Sequence, residues 1–404
     1  MALSLSPFTT VPLSPARVPD APVPGLYVHI PFCFHKCHYC DFYSITRQTD
    51  DRMAGFVNLL LREADLWTAP RPGPTPQPRT IFFGGGTPSL LPLPLMQQLI
   101  AGLRDRFNLS HLTEWTVECN PATASLEYLH MLREAGVDRI SFGAQSFDRA
   151  ELQTLERHHD PDDVPRSLDW ARQAGFTRLN LDLIFAIPGQ SLASWQRSLN
   201  TALGLGTTHL SCYGLTYESN TPMTVRKRLG HFTAVDESVE LGMFHHTRAA
   251  LLSADMPAYE VSNFAAPGQA CRHNLLYWQG DNYIGLGPSA ASHVQGWRWK
   301  NRPHLGEWER AIDSHHLPTA DVETLQPLQR AAELAMFRLR LTDGLRFTDF
   351  TDRTGYDAHM LYAPQIEHLT RLGLLDVDDT RLCLTERGWD VTDSVAAEFA
   401  SPLD

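Results

Sequence analysis

Between Leu26 and Glu218, short apolar runs alternate with segments of helical periodicity. The runs LYVHIPF (26–32), TIFFGGGT (80–87), EWTVECNP (114–121), RISFGAQSF (139–147), RLNLDLIFAIPG (178–189) and HLSCYGLTYE (209–218) are β-branched or aromatic. Their nearly continuous apolar character is that of parallel strands buried on both faces. Between them, SLEYLHMLREAG (125–136) and DVPRSLDWARQAG (163–175) set apolar residues three and four apart and end on glycine, as helices do. Six such units predict an α/β fold: a parallel sheet with right-handed crossovers, closed or partly closed into a (β/α)6 barrel. Function in such a sheet gathers at the carboxyl ends of the strands. There the chain places its cysteines after the first run, Gly84 to Pro88 after the second, Glu118 on the third, Gln145 on the fourth and Asp182 on the fifth.

After Glu218 the pattern changes. A helix is expected around ESVELGMFHHTRAALLSA (237–254), followed by an aromatic segment that contains HNLLYW (273–278). From about Leu317 the chain turns helical again, and residues 366–399 read helix, short hairpin, helix, which resembles a winged helix. Four parts are therefore expected: a disordered Pro/Ser-rich tail (1–24), the partial barrel (25–222), a barrel extension (223–316) and a smaller, mainly helical winged-helix-like domain (317–404). The Pro-rich stretch APRPGPTPQPRT (69–80) reads as an exposed loop.

A length of 404 residues suits a large domain plus a smaller one. The formal net charge of −12 argues against nucleic acid and against anionic membranes as partners, since both select clustered Lys and Arg. No apolar run is long enough to cross a bilayer, so any membrane contact would be peripheral. The seven cysteines make a poor disulfide framework, as expected in the cytoplasm.

Three of them, Cys33, Cys37 and Cys40, crowd into one loop with the spacing Cys-x-x-x-Cys-x-x-Cys. Three thiolates can hold a 4Fe–4S cube and leave one iron open to a small chelator. A zinc site is the alternative, with His35 or His38 as fourth ligand.

With Tyr39 just before the last cysteine, this motif resembles the signature of the radical S-adenosylmethionine (SAM) family. YVHIPFC, FFGGGTPSLL, VECNP, ISFGAQSF and NLDLIFAIPGQ narrow the resemblance to the subgroup of oxygen-independent coproporphyrinogen III oxidase and the HemW-type heme chaperones. It runs from about Gly25 to the C-terminus. It implies a TIM-like partial barrel, a 4Fe–4S cluster on the three cysteines and SAM as cofactor. SAM contacts are implied at Tyr27, Tyr39, Gly85, Gly86, Thr87, Glu118, Gln145, Arg157, Asp182 and Thr216. The GGGTP turn is expected to offer exposed backbone N–H and C=O groups to the ligand's amino-acid moiety. Read without the family, Arg157 could be a solvated helix residue, Glu118 and Asp182 could cap neighbouring backbone, and Tyr27 and Tyr39 could be core.

Two departures separate carrier from oxidase. The oxidase has a further cysteine two positions after the third, where this chain has Phe42, and a longer N-terminal region. The chaperones share the first departure and carry a His-Asn-x-x-Tyr-Trp motif, matched here by His273, Asn274, Tyr277 and Trp278. The resemblance therefore implies a protein that binds heme and passes it to acceptor hemoproteins, with an electron donor for its cluster and without coproporphyrinogen oxidase activity. His273 is the candidate axial ligand, with Cys271 as the alternative thiolate. The other reading of HNLLYW is a structural lid, since a lone histidine is more often a satisfied core residue.

Overall fold

A computed structural model describes residues 13–69, 73–74 and 76–400 of the chain. All six expected runs form strands: β1 (Val23–Ile30), β2 (Pro76–Gly85), β3 (Glu114–Cys119), β4 (Arg139–Gln145), β5 (Arg178–Phe185) and β6 (His209–Gly214). They pair in parallel and in sequence order, from β1 with β2 through to β5 with β6. The intervening helices include α1 (Asp50–Thr68), α2 (Leu93–Arg106), α3 (Leu126–Glu134), α4 (Arg149–Thr154), α5 (Asp163–Gln173) and α6 (Leu192–Gly204). Ser125 and Ser191 start α3 and α6 by accepting an N–H three residues on.

The barrel stays open. The later chain adds β7 (Asn263–Ala265) antiparallel to β6 at one edge. At the other edge β8 (Tyr283–Leu286) lies parallel to β1, followed by the antiparallel strands β9 (Ala291–Val294), β10 (Trp297–Asn301) and β11 (Thr319–Thr324). Both flanks of the six-strand core are thus occupied, so β6 never meets β1. Buried Glu63 of α1 anchors this second edge by accepting from Gly287 N (2.8 Å), Asn301 Nδ2 (2.7 Å) and Trp308 Nε1 (2.9 Å).

The two faces of the sheet differ, contrary to the expectation of apolar character on both. Leu26, Val28, Ile81, Phe83, Trp115, Val117, Ile140, Phe142, Leu179 and Leu181 join helix residues such as Leu60, Leu99, Leu129 and Leu199 in the main core. The alternate positions carry Tyr27, Glu118, Arg139, Ser141, Asn180, Asp182 and Ser211, and these line an interior cavity. A strand alternates its side chains, so one buried face is greasy and the other polar.

Two further expectations are corrected. Residues 13–24 are ordered: Leu13 and Val18 are buried, and Leu13 N–H donates to Thr319 Oγ1 at 3.3 Å. Two apolar side chains per short segment suffice to dock it; the rest of the expected tail lies outside the described residues. Part of the Pro-rich loop belongs to β2, where Pro76 aligns with Val23 across an irregular register that absorbs the missing N–H groups.

The C-terminal segment has its own small core, including Leu345, Phe350, Tyr362, Leu369, Leu382, Trp389 and Phe399. Its helices pack on a three-stranded antiparallel sheet that holds the 375–384 hairpin. Among the described residues no helix is long and apolar enough to cross a membrane.

Candidate cluster and ligand site

The cysteine loop leaves the carboxyl end of β1 and is tied back on itself. Cys33 N–H donates to Ile45 O (2.9 Å), and Ile45 N–H donates to Pro31 O (2.8 Å). Tyr39 packs against a small apolar cluster of Leu155, Ile184, Ile187, Leu215 and Met223, which holds the loop's middle. Cys33, Cys37 and Cys40 are half-buried free thiols, and burial pushes the Cys40 thiol up to about 11. Cys33 Sγ lies 3.6 Å from Thr87 Oγ1, and Arg157 Nη1 donates to Cys37 Sγ at 3.8 Å. The second guanidinium nitrogen of Arg157 reaches Gly143 O (2.6 Å), while its Nε is buried without a partner. His35 and His38, the candidate fourth ligands of a zinc site, each face Glu156, at 3.6 and 3.9 Å.

The GGGT turn differs from expectation. Gly86 N–H donates to Ile30 O (2.9 Å), Thr87 N–H to Phe32 O (2.7 Å), and Gly85 N–H to the Glu118 carboxylate. The first two dock the turn on the end of β1 and the third ties it to β3. The glycines are required for close approach: a Cβ on Gly86 would stand 2.7 Å from Phe32 O, and one on Gly85 (φ +105°) would stand 2.5 Å from the His29 ring.

Below the turn lies a cavity of about 140 Å³. Glu118 and Asp182 face it with raised carboxyl pKa values. Desolvation, then the neighbouring Asp182 charge, pushes Glu118 up to about 8 against the N–H of Gly85 and the charge of Arg139. Burial likewise raises Asp182, although Asn180 Nδ2 (2.8 Å) and Ser141 Oγ (3.1 Å) donate to it. Arg139 is buried on the same wall.

HNLLYW forms part of the helix Arg272–Trp278, which packs against the amino ends of the strands, opposite the cysteine loop. Glu114, the first residue of β3, caps it by accepting Arg272 N–H and His273 N–H, both at 2.9 Å. The same carboxylate takes Arg178 Nη2 at 2.7 Å. Burial alone would raise Glu114, but Arg139, Arg178 and the two N–H groups outweigh it and hold it below the usual range. His273 is buried, stacks on Phe82 and has both ring nitrogens engaged, Nδ1 with Thr80 Oγ1 and Nε2 with Tyr277 OH, each at 2.8 Å. Desolvation lowers its pKa to about 4. In this arrangement His273 can ligate iron only by giving up one of those bonds. Cys271 is buried as a thiol, pushed up to about 12 by burial, and donates to Glu114 (3.4 Å). Asn274 reaches Tyr259 OH, and Trp278 faces away from the cavity, against Phe337 and Arg340 of the C-terminal segment.

Comparison with known proteins adds a lineage to this geometry. Residues 27–202 match the radical SAM superfamily, and residues 325–391 match the HemN C-terminal domain. The protein named heme chaperone HemW in Mycobacterium tuberculosis is 35% identical over 387 residues, covering 95% of this chain and 97% of its own. Its namesake in Bacillus subtilis is 33% identical over 384 residues, 93% and 99% of the two chains. The chain is a radical SAM protein of the HemW family. The solved structure of the radical SAM enzyme coproporphyrinogen III oxidase (HemN) from Escherichia coli superposes with a TM-score of 0.82 at 22% identity, over 96% of this chain and 92% of that one. That likeness describes the fold.

Radical SAM membership implies a 4Fe–4S cluster and SAM, and the residues fit both. The three thiols are free, close in sequence and held on one tied loop, and a guanidinium beside Cys37 suits anionic sulfur. The orphaned Arg157 Nε and the desolvated carboxyls of Glu118 and Asp182 are groups that a polar ligand can engage. Of the radical SAM candidates, the structure brings Tyr27, Glu118 and Asp182 to the cavity and gathers Tyr39, Gly85, Gly86, Thr87 and Arg157 around the cysteine loop. Gln145 ends β4 with a φ of +65°, and Thr216 is exposed beyond β6. His273, Asn274 and Tyr277 line the same cavity from below. Reading the strands as continuous apolar runs missed Arg139, Ser141, Asn180 and Ser211. Their signal was the alternation Arg139/Ser141, Asn180/Asp182 and His209/Ser211, visible in the sequence once every second residue is compared.

Proposed function

We propose that this protein is a heme chaperone of the cytoplasm that holds a 4Fe–4S cluster on Cys33, Cys37 and Cys40, binds SAM and heme, and hands heme to acceptor hemoproteins. The observation that carries this reading is near full-length likeness to proteins named heme chaperones, together with Phe42 in the place of the oxidase's further cysteine. Phe42 is 65% exposed on the cysteine loop and offers no thiolate to the reaction site. In this reading SAM lies across the cysteine loop and the cavity mouth. Arg157 meets its carboxylate, the ribose hydroxyls meet Glu118 and Asp182, and Tyr27, Gln145 and Thr216 complete the contacts. When bound, the cluster supplies an open iron for the chelate and an electron for cleavage of a carbon–sulfur bond.

Heme itself needs more room than this cavity provides. Pockets for ligands of drug size run to roughly 300–1,000 Å³, whereas the space beside His273 is about 140 Å³. With the Arg272–Trp278 helix in place, His273, Asn274, Tyr277 and Trp278 are held by the fold, and heme would reach them only if that helix moved.

The test is an anaerobic heme titration of the cluster-loaded protein, followed by absorbance, with a second step that presents apo-hemoprotein. Saturable binding at a fixed stoichiometry and loss of heme to the acceptor are expected. A cluster-loaded protein that ignores heme but decarboxylates coproporphyrinogen III would replace this reading with the oxidase.

A further inference from the structure

One cluster of ligating side chains is used by neither the cysteines nor the cavity. His35 stands on the cysteine loop between Cys33 and Cys37. Glu156 and His158 follow α4 and flank Arg157. One donor atom from each of the three lies within 4.8 Å of the other two. His35 Nε2 is 3.6 Å from Glu156 Oε2, and the imidazoles of His35 and His158 meet edge to face at 4.4 Å between centroids.

These groups converge without bonding one another. A separation of 3.6 Å is too long for a hydrogen bond, and His35 Nε2 is buried with no partner. A neighbouring histidine behaves differently: His38 Nδ1 is taken by Arg226 Nη1 at 3.2 Å. An imidazole nitrogen hidden from water and left unpaired beside a carboxylate and a second imidazole is the donor set of a divalent transition-metal site.

The backbone carries independent weight. Arg157 N–H returns to Leu152 O (2.9 Å) and Glu156 N–H to Gln153 O (3.1 Å), the paired bonds that close a helix through a left-handed residue. Glu156 is that residue, with a φ of +57°. Glycine suits this position, and any side chain there adopts an unfavourable conformation. Glu156 is thus held against its backbone preference, and its carboxylate is delivered to His35.

We propose that His35, Glu156 and His158 form a second metal site, separate from the cysteines, that binds one Zn²⁺ ion. Bonds of about 2.0–2.1 Å place the donors of a tetrahedral zinc roughly 3.3 Å apart. The ion therefore draws three side chains inward by about an ångström. Glu156 and His158 also border an open cleft of about 470 Å³, which leaves the fourth position to water. The site ties the cysteine loop to the segment carrying Arg157, whose guanidinium touches Cys37. Zinc here braces the frame of the cluster.

The experiment uses the cluster-reconstituted protein, kept anaerobic and dialysed against buffered low-micromolar Zn²⁺, with bound zinc and iron measured together. One zinc per chain is expected at full iron content. His158→Ala and Glu156→Gly should each weaken zinc binding at least about tenfold without loss of iron. Glu156→Gly should also raise the melting temperature of the zinc-free protein, because it restores the residue that the turn prefers. No zinc at full iron content would overturn the proposal. So would zinc retained equally by both variants, or zinc gained only as iron is lost, which would assign it to the cysteines.

Discussion

Two glutamates on one strand, four residues apart on the same face, show how differently the two ends of this barrel are built. Glu114 at the base is buried among Arg178, Arg139 and the first N–H groups of the Arg272–Trp278 helix, and its carboxyl is held below the usual range. Glu118 at the mouth is desolvated beside a like-charged neighbour, Asp182, which the N–H of Gly85 and the charge of Arg139 do not offset, and is pushed up to about 8. The chain satisfies the first glutamate from within and leaves the second unsatisfied. A buried charge that the fold completes is architecture; one that it leaves incomplete is a place for a ligand. The histidines follow the same division. His273 at the base has both nitrogens occupied, while His35 near the mouth has a buried nitrogen with none.

The sharpest way to break this comparison is Glu114→Ala. It removes the carboxylate that faces buried Arg139, takes one of two carboxylate partners from Arg178 and uncaps a helix, and should cost about 3 kcal/mol in urea unfolding. A loss under 1 kcal/mol would mean that the base is not held by this carboxylate. Glu118→Gln should do the reverse. Stability at neutral pH is kept or improved, while SAM affinity, measured calorimetrically on the cluster-loaded protein, falls by about 1.5–3 kcal/mol, the contribution of hydrogen bonds to a charged group. Next, His273→Ala should lower stability by about 1–3 kcal/mol by orphaning Thr80 and Tyr277, with heme affinity within about twofold of wild type. Heme binding lost at unchanged stability would instead make His273 an iron ligand. The smallest effect is on pH dependence, where the two ends should pull in opposite directions. Glu118 binds its proton more tightly folded than unfolded, so its contribution is full below its unfolded pKa and declines as pH rises toward about 8. His273 is depressed to about 4, so its contribution is full above the unfolded value and is lost as pH falls toward 4. Stability curves for Glu118→Gln and for His273→Phe, each subtracted from wild type, should slope with opposite sign.

The order and pairing of β1 to β6 could be read along the chain because strand and helix signals are local, and sequential parallel pairing follows from right-handed crossovers. The cysteine spacing, Glu118 and Asp182 were equally legible, being motif residues at strand ends. The occupied flanks were not. That β8 lies on β1 and β7 on β6 depends on contacts between segments more than 40 residues from the strands they join, and no local pattern encodes such a pairing.

The sequence by itself determined the elements, their succession and the chemical types set at the mouth, since each depends on neighbours within a few positions. Tertiary structure alone decided what those groups do. HNLLYW went to the amino ends of the strands, where Glu114 caps its helix. The N–H groups of Gly86 and Thr87 went to Ile30 and Phe32, and that of Gly85 to Glu118. His35 met Glu156 and His158 across 120 residues of chain. A side chain's role depends on whether its polar atoms are satisfied and on how far they lie from water, and both are properties of the packed chain.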